Sequence, residues 1–117
     1  MSSETVLTAA LKAAAGVTAL VAQRIYPDNV PQEPAPPYIA YTRSGTEFLH
    51  SIHGPVLGEK ASLEVWCMSS SRKDAETIAD AVQAASVAAR FAPTGRRAEY
   101  DNEAELWGAV LSLEHWT

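Results

Sequence analysis

Five of the eleven residues from Pro27 to Pro37 are proline, and this gap constrains the fold more than any other stretch. Each proline fixes its own φ and pushes the preceding residue toward extended geometry. Neither a helix nor a hydrogen-bonded ladder is expected to run through it, so the chain divides into an alanine-rich start and a β-rich remainder. Before the gap, Ser2 or Ser3 can cap a helix and Glu4 suits its positive end. Leu7, Leu11 and Ala14 recur at helical spacing, and Val17, Leu20 and Val21 carry the apolar face into a second short piece that stops before Pro27. The pattern predicts a helix over residues 4–22, irregular near Gly16.

After the gap, Tyr38 to Arg43 is rich in β-formers, with Tyr38, Ala40 and Thr42 on one face and Ile39, Tyr41 and Arg43 on the other. Gly45, Gly54, Pro55 and Gly58 surround a modest apolar run, Phe48 to Ile52, so residues 44–58 read as a long hairpin arm or a mobile loop. Alternation returns from Glu59 to Met68: Ala61, Leu63, Val65 and Cys67 oppose Ser62, Glu64, Trp66 and Met68, which puts Trp66 on the more polar face. Ser71 with Asp74 approximates a capping box, and Ala75, Ile78, Ala79, Val82 and Ala85 form a stripe of mostly small residues on the helix that follows. Pro93 and Gly95 end that region. Residues 107–116 alternate as a long final strand, Trp107, Ala109, Leu111, Leu113 and His115 against Val110, Ser112, Glu114 and Trp116.

Helix, strands, helix, strands, without strict alternation, predicts an α+β fold with two helices packed on one face of a mainly antiparallel β-sheet. A chain of 117 residues accommodates one core, hence a single domain over residues 1–117. The uncharged stretch Ala13 to Gln23 is about half the ~20 residues that cross a bilayer, so no membrane partner is expected. The start, Met1-Ser2-Ser3-Glu4, lacks a basic segment followed by an apolar run, and a single cysteine forms no internal disulfide, which predicts a cytoplasmic product. Net charge is −5 and no basic block is present, so attraction to phosphate backbones is not expected.

Catalysis needs a nucleophile or base held by partners, and Cys67, His50, His53 and His115 form no known signature. Cys67 falls on the apolar face of its strand, where a free cysteine packs as a small hydrophobe. His50 and His53 have a spacing that can coordinate metal from one helical face, but the glycine and proline around them argue against a helix and no Cys or carboxylate pair accompanies them. The expected sets of catalytic, cofactor-binding and metal-binding residues are therefore empty. Glu99, Asp101, Glu103 and Glu105 alternate, so an extended segment would project all four from one face at intervals of about 6.7 Å. The residues alone read as a solvated hairpin tip around Asp101-Asn102, where Asn and Asp favour turns.

The order of a helix ending in Leu20-Val21 and Arg24-Ile25-Tyr26-Pro27, a proline-rich loop with Gln32, the run Pro37-Tyr38-Ile39 with Tyr41, and a last strand ending in Trp116 resembles the tail-completion, or tail-terminator, proteins of long-tailed bacteriophages. The resemblance implies a non-enzymatic structural protein of a virion or prophage, without cofactors. Such subunits form a ring, usually of six, at the head-proximal end of the tail tube, where they end tube growth and join the tail to the head connector. The implied partners are other copies of itself, the tail tube protein and the head-tail connector protein. DNA passes without specific binding, and the second reading of Glu99, Asp101, Glu103 and Glu105 is then an acid row lining the ring's bore, through which DNA slides without sticking. The implied location is the virion tail, after assembly in the host cytoplasm. Candidate subunit or tube contacts are Tyr26, Pro27, Phe48, Leu49, Trp66 and Trp116, tryptophan being enriched at interface centres. The competing readings are a small α+β oligomeric binding module unrelated to phage tails, such as a dimeric regulator, and a hydrolase pairing Cys67 with His50 or His53.

Overall fold

The computed structural model describes residues 3–22, 24–27, 36–50, 54 and 56–116. Three helices and five strands follow one another as α1 (Ser3–Ala13), α2 (Ala15–Val21), β1 (Ile25–Pro27), β2 (Tyr38–His50), β3 (Val56–Ser69), α3 (Arg72–Ala88), β4 (Ala92–Asp101) and β5 (Leu106–Trp116). The strands form one sheet in the order β1-β2-β3-β5-β4, antiparallel except for the β1–β2 pair. The α+β architecture expected from the sequence is the one observed.

The N-terminal helix breaks two residues before the glycine that was expected to interrupt it. Ala14 is extended, with φ −83 and ψ 112, and α1 and α2 meet at 82°. The bend turns α2 across the core, so that Val17 and Val21 join Leu7 and Leu11 against the same sheet face. Gly16 lies inside α2, where an added Cβ would meet nothing within 4 Å, and its backbone freedom is not used. Among the described residues no single helix is long and apolar enough to span a membrane.

The residues on either side of the proline gap are hydrogen-bonded partners. Ile25, Tyr26 and Pro27 pair in parallel with Ile39, Ala40 and Tyr41. The Ile39 amide donates to the Arg24 carbonyl at 2.9 Å, and Arg24 Nε donates to the Pro37 carbonyl at 2.7 Å. The expected absence of any ladder from Pro27 onward is thus corrected by one residue. Pro27 is tolerated because β1 is an edge strand, where a missing N–H leaves no inner partner unmet. Residues 28–35 lie outside the described set.

Of residues 44–58, the described parts 44–50 and 56–58 pair as an arm. The β2–β3 ladder continues through Thr46↔Ala61, Phe48↔Glu59 and Leu49↔Gly58 to His50↔Val56, with irregularities at Arg43/Gly45 and Leu49/His50. Pro93 and Gly95, expected to close a region, instead sit within β4, the opposite edge strand, with a register shift between them. A proline on each edge fits its exclusion from central strands. The final strand starts at Leu106 and ends at Trp116, as the alternation predicts to within a residue.

The helices cover one face of the sheet. Leu7, Leu11, Val17 and Val21 from α1 and α2, and Ala75, Ile78, Ala79 and Val82 from α3, pack on Ile39, Tyr41, Leu63, Val65, Cys67, Ala109, Leu111 and Leu113. The Ser71 cap forms as predicted, its Oγ accepting from the Asp74 amide at 3.1 Å. Arg96 ties β4 to α3, donating to Glu76 at 3.3 Å, Asp80 at 2.8 Å and Gln83 at 2.6 Å. Tyr41 and Thr8 share a hydroxyl–hydroxyl hydrogen bond between β2 and α1.

Candidate functional site

The side chains that alternate away from the helices make the open face of the sheet. Register places Tyr38 opposite Met68, Ala40 opposite Trp66, and Trp66 beside Val110. Along β4, Arg97, Glu99 and Asp101 pair with Val110, Gly108 and Leu106, which puts all three on this same face. A groove of about 420 Å³ runs across it, lined by Tyr38, Ala40, Trp66, Met68 and Gly108, with Glu99 and Asp101 at its rim. Gly108 has a steric role here: a Cβ at that position would lie 2.7 Å from Met68 Sδ, so a side chain would push methionine into the groove.

The groove has an aromatic floor and a charged border. The Tyr26 and Tyr38 rings are 5.9 Å apart and tilted by 54°, and the Arg97 guanidinium lies 5.5 Å from the centre of Trp66. Arg97 Nε donates to Glu99 at 2.7 Å, and Arg97 Nη2 is 3.5 Å from Glu64. Burial, then the negative charge of Asp101, pushes the Tyr38 hydroxyl pKa up, so this tyrosine stays a protonated donor. Further along the open face, the Lys60 ammonium sits 2.9 Å from both Glu47 and Glu114 and 5.6 Å from the centre of the Trp116 ring.

The predicted contact residues are split between two places. Tyr26 and Trp66 are half-buried in or beside the groove, and Pro27 is exposed on edge strand β1. Phe48 and Leu49 protrude from the arm, 57% and 52% exposed, and Trp116 is 59% exposed at the end of β5. The Phe48 ring lies 6.4 Å from that of His50, so these two side chains leave the arm on the same side.

The acids do not form one straight row. Glu99 and Asp101 belong to β4, whereas Glu103 and Glu105 lie in the turn of residues 102–105, with Glu105 at φ 55. The Asp101 carboxylate accepts from the amides of Glu103 at 3.0 Å and Ala104 at 3.2 Å, which closes the chain into a turn and ends the extended geometry that equal spacing requires.

The residues considered for chemistry are also separated. Cys67 is fully buried beneath the helices, and burial raises its thiol pKa to about 12. His50 is on the arm with Nδ1 at 3.3 Å from the Gly54 carbonyl, eleven residues along β2 from Ile39, the partner of Cys67. His53 is outside the described residues. His115 is buried, stacked at 4.2 Å on Phe91, and shares a 2.8 Å hydrogen bond with Ser3 Oγ. No group of three or more metal-ligating side chains occurs among the described residues.

Sequence reasoning passed over Gly108, Met68 and Arg97. A glycine inside an alternating strand was the available signal for the first, and the alternation of β3 already placed Met68 beside Trp66. Arg97 directly follows Arg96 in the sequence, but the two face opposite sides of the sheet.

A helix-backed, mainly antiparallel sheet with one covered face, one grooved face and an arm defines a small α+β protein whose distinctive surfaces are the groove and the arm. The chain belongs to the family described as Tail completion protein gp17, which it matches over residues 5–117. It is therefore a structural protein of a bacteriophage tail. Comparison with curated protein sequences found no match. Among solved structures, a chain from the virion of a native gene transfer agent particle shares the fold, with a TM-score of 0.81 at 18% identity, over 96% of this chain and 91% of that one.

Proposed function

We propose that this protein acts as one domain that assembles, six copies to a ring, on the head-proximal end of a phage or prophage tail tube. There it ends tube growth and joins the tail to the head connector. The observation that carries this reading is the family match, which spans nearly the whole chain from α1 to β5. The fold accords with it. A rigid sheet backed by helices supplies a wedge, and head-to-tail contacts between identical wedges close a ring when their rotation permits. The related fold in a gene transfer agent virion supports a place in the particle, reached from the host cytoplasm during assembly.

DNA passes such a ring without specific binding, consistent with a net charge of −5 and the absence of a basic block. The repulsive role considered for Glu99, Asp101, Glu103 and Glu105 narrows to the turn, where Glu103 and Glu105 are exposed. The proline-rich segment 28–37 and the arm supply contacts to tube or subunits.

Removing residues 46–57, so that Gly45 joins Gly58, is expected to leave a folded chain that no longer caps tails. Electron microscopy of tails assembled with this variant should show overlong tubes. Tails of ordinary length would remove the arm from the mechanism.

A further inference from the structure

The chain carries both a knob and a hole. We infer that Phe48, on the arm, inserts into the groove between Tyr38, Trp66 and Met68 of the neighbouring copy, with His50 facing that copy's Glu99 and Asp101. This contact rests on the ring reading above and names the surfaces that close the ring.

Four observations lead to it. Phe48 is 57% exposed although it is a large aromatic, and its own sheet offers it no cover. The groove is lined by aromatic, thioether and small side chains, a setting in which a phenyl ring gains both area and favourable sulfur–aromatic contact. Phe48 is eight residues beyond Ala40 on the same strand, about 26 Å at ~3.3 Å per residue, so the arm cannot reach the groove of its own subunit. A knob and hole at separate places on one chain make a head-to-tail contact, the kind that closes rings.

Charge does not oppose the same partner. The carboxylates beside Phe48 are already paired, Glu47 with Lys60 at 2.9 Å and Glu59, its cross-strand partner, with Arg43 at 3.9 Å. His50 shares the Phe48 side of the arm, which puts its ring at the border when phenylalanine enters.

The test mixes two preparations of the full chain, one with Phe48→Cys and one with Glu99→Cys, on tail tubes under oxidant. Cys67 is silent in this assay because it is buried and its thiol stays protonated. A non-reducing gel should show a product of twice the 12.5 kDa chain mass only when both variants are present. Rings visible by electron microscopy without that product, or a Phe48→Cys product with tube protein instead, would overturn the knob-in-groove contact and leave the ring standing. Wild-type chain that makes no ring on tubes would take both readings down. Phe48→Ala supplies a second measurement: it should weaken subunit association at least about tenfold, as expected for a central aromatic anchor. Unchanged association would reject the contact.

Discussion

The two faces of the sheet are built from the same strands by alternation, yet they solve different problems. Under the helices, Leu63, Val65, Cys67, Leu111 and Leu113 are at most 1% exposed and belong to one apolar cluster. On the other face Tyr38, Trp66 and Met68 surround a groove, and the surrounding charges Arg97, Glu99, Lys60 and Glu114 are paired at the surface. The closed face stabilises the subunit because its side chains fill space to crystal-like density. The open face keeps apolar area uncommitted in the isolated chain, and uncommitted apolar area bordered by charge is what a docking partner removes from water.

The contrast can be broken most forcefully at Leu63. Leu63→Ala leaves a cavity between β2, β5 and the helices and should cost roughly 2–5 kcal/mol, measured by urea unfolding. A loss well under this range would mean that the closed face collapses around the gap and is less tightly packed than described. A smaller effect is expected at the edge of that face. Burial lowers the His115 pKa from its ordinary 6.5, so the folded chain prefers the neutral ring. The unfolded ring takes up a proton at higher pH than the folded one. The contribution is therefore fully present above about pH 6.5 and declines as pH falls through the lower, folded value. Unfolding midpoints followed from about pH 8 down to about pH 5 should show an acid-side decline that His115→Gln reduces. An identical decline in the variant would assign it to the carboxylates. The smallest effect belongs to the arm: Phe48→Ser should shift monomer stability by no more than about 0.5 kcal/mol, because the ring is mostly in water. A larger change would show that Phe48 packs within its own subunit.

Much of this contrast was legible beforehand. Alternation in β3 and β5 separated Leu63, Val65 and Cys67 from Trp66, and the Ser71–Asp74 spacing located the start of α3. Other features resisted. The bend at Ala14 has no local marker, since alanine is a strong helix former and the nearby glycine drew the expectation to itself. Pro93 and Gly95 read as a stop, whereas an edge strand accommodates both. The row of acids lost its regularity because Asp101 binds amides two and three residues ahead, a choice between strand and turn that composition leaves open.

The candidate surface shows where the boundary lies. From the order of residues alone came the elements, the side each residue takes within its strand, and the family, because these depend on spacing along the chain. The groove arises from strands far apart in sequence. Tyr38 and Asp101 are distant along the chain, and the order β2-β3-β5-β4 brings both to one groove, where the charge of one raises the pKa of the other. Periodicity along any one strand carries no record of that order.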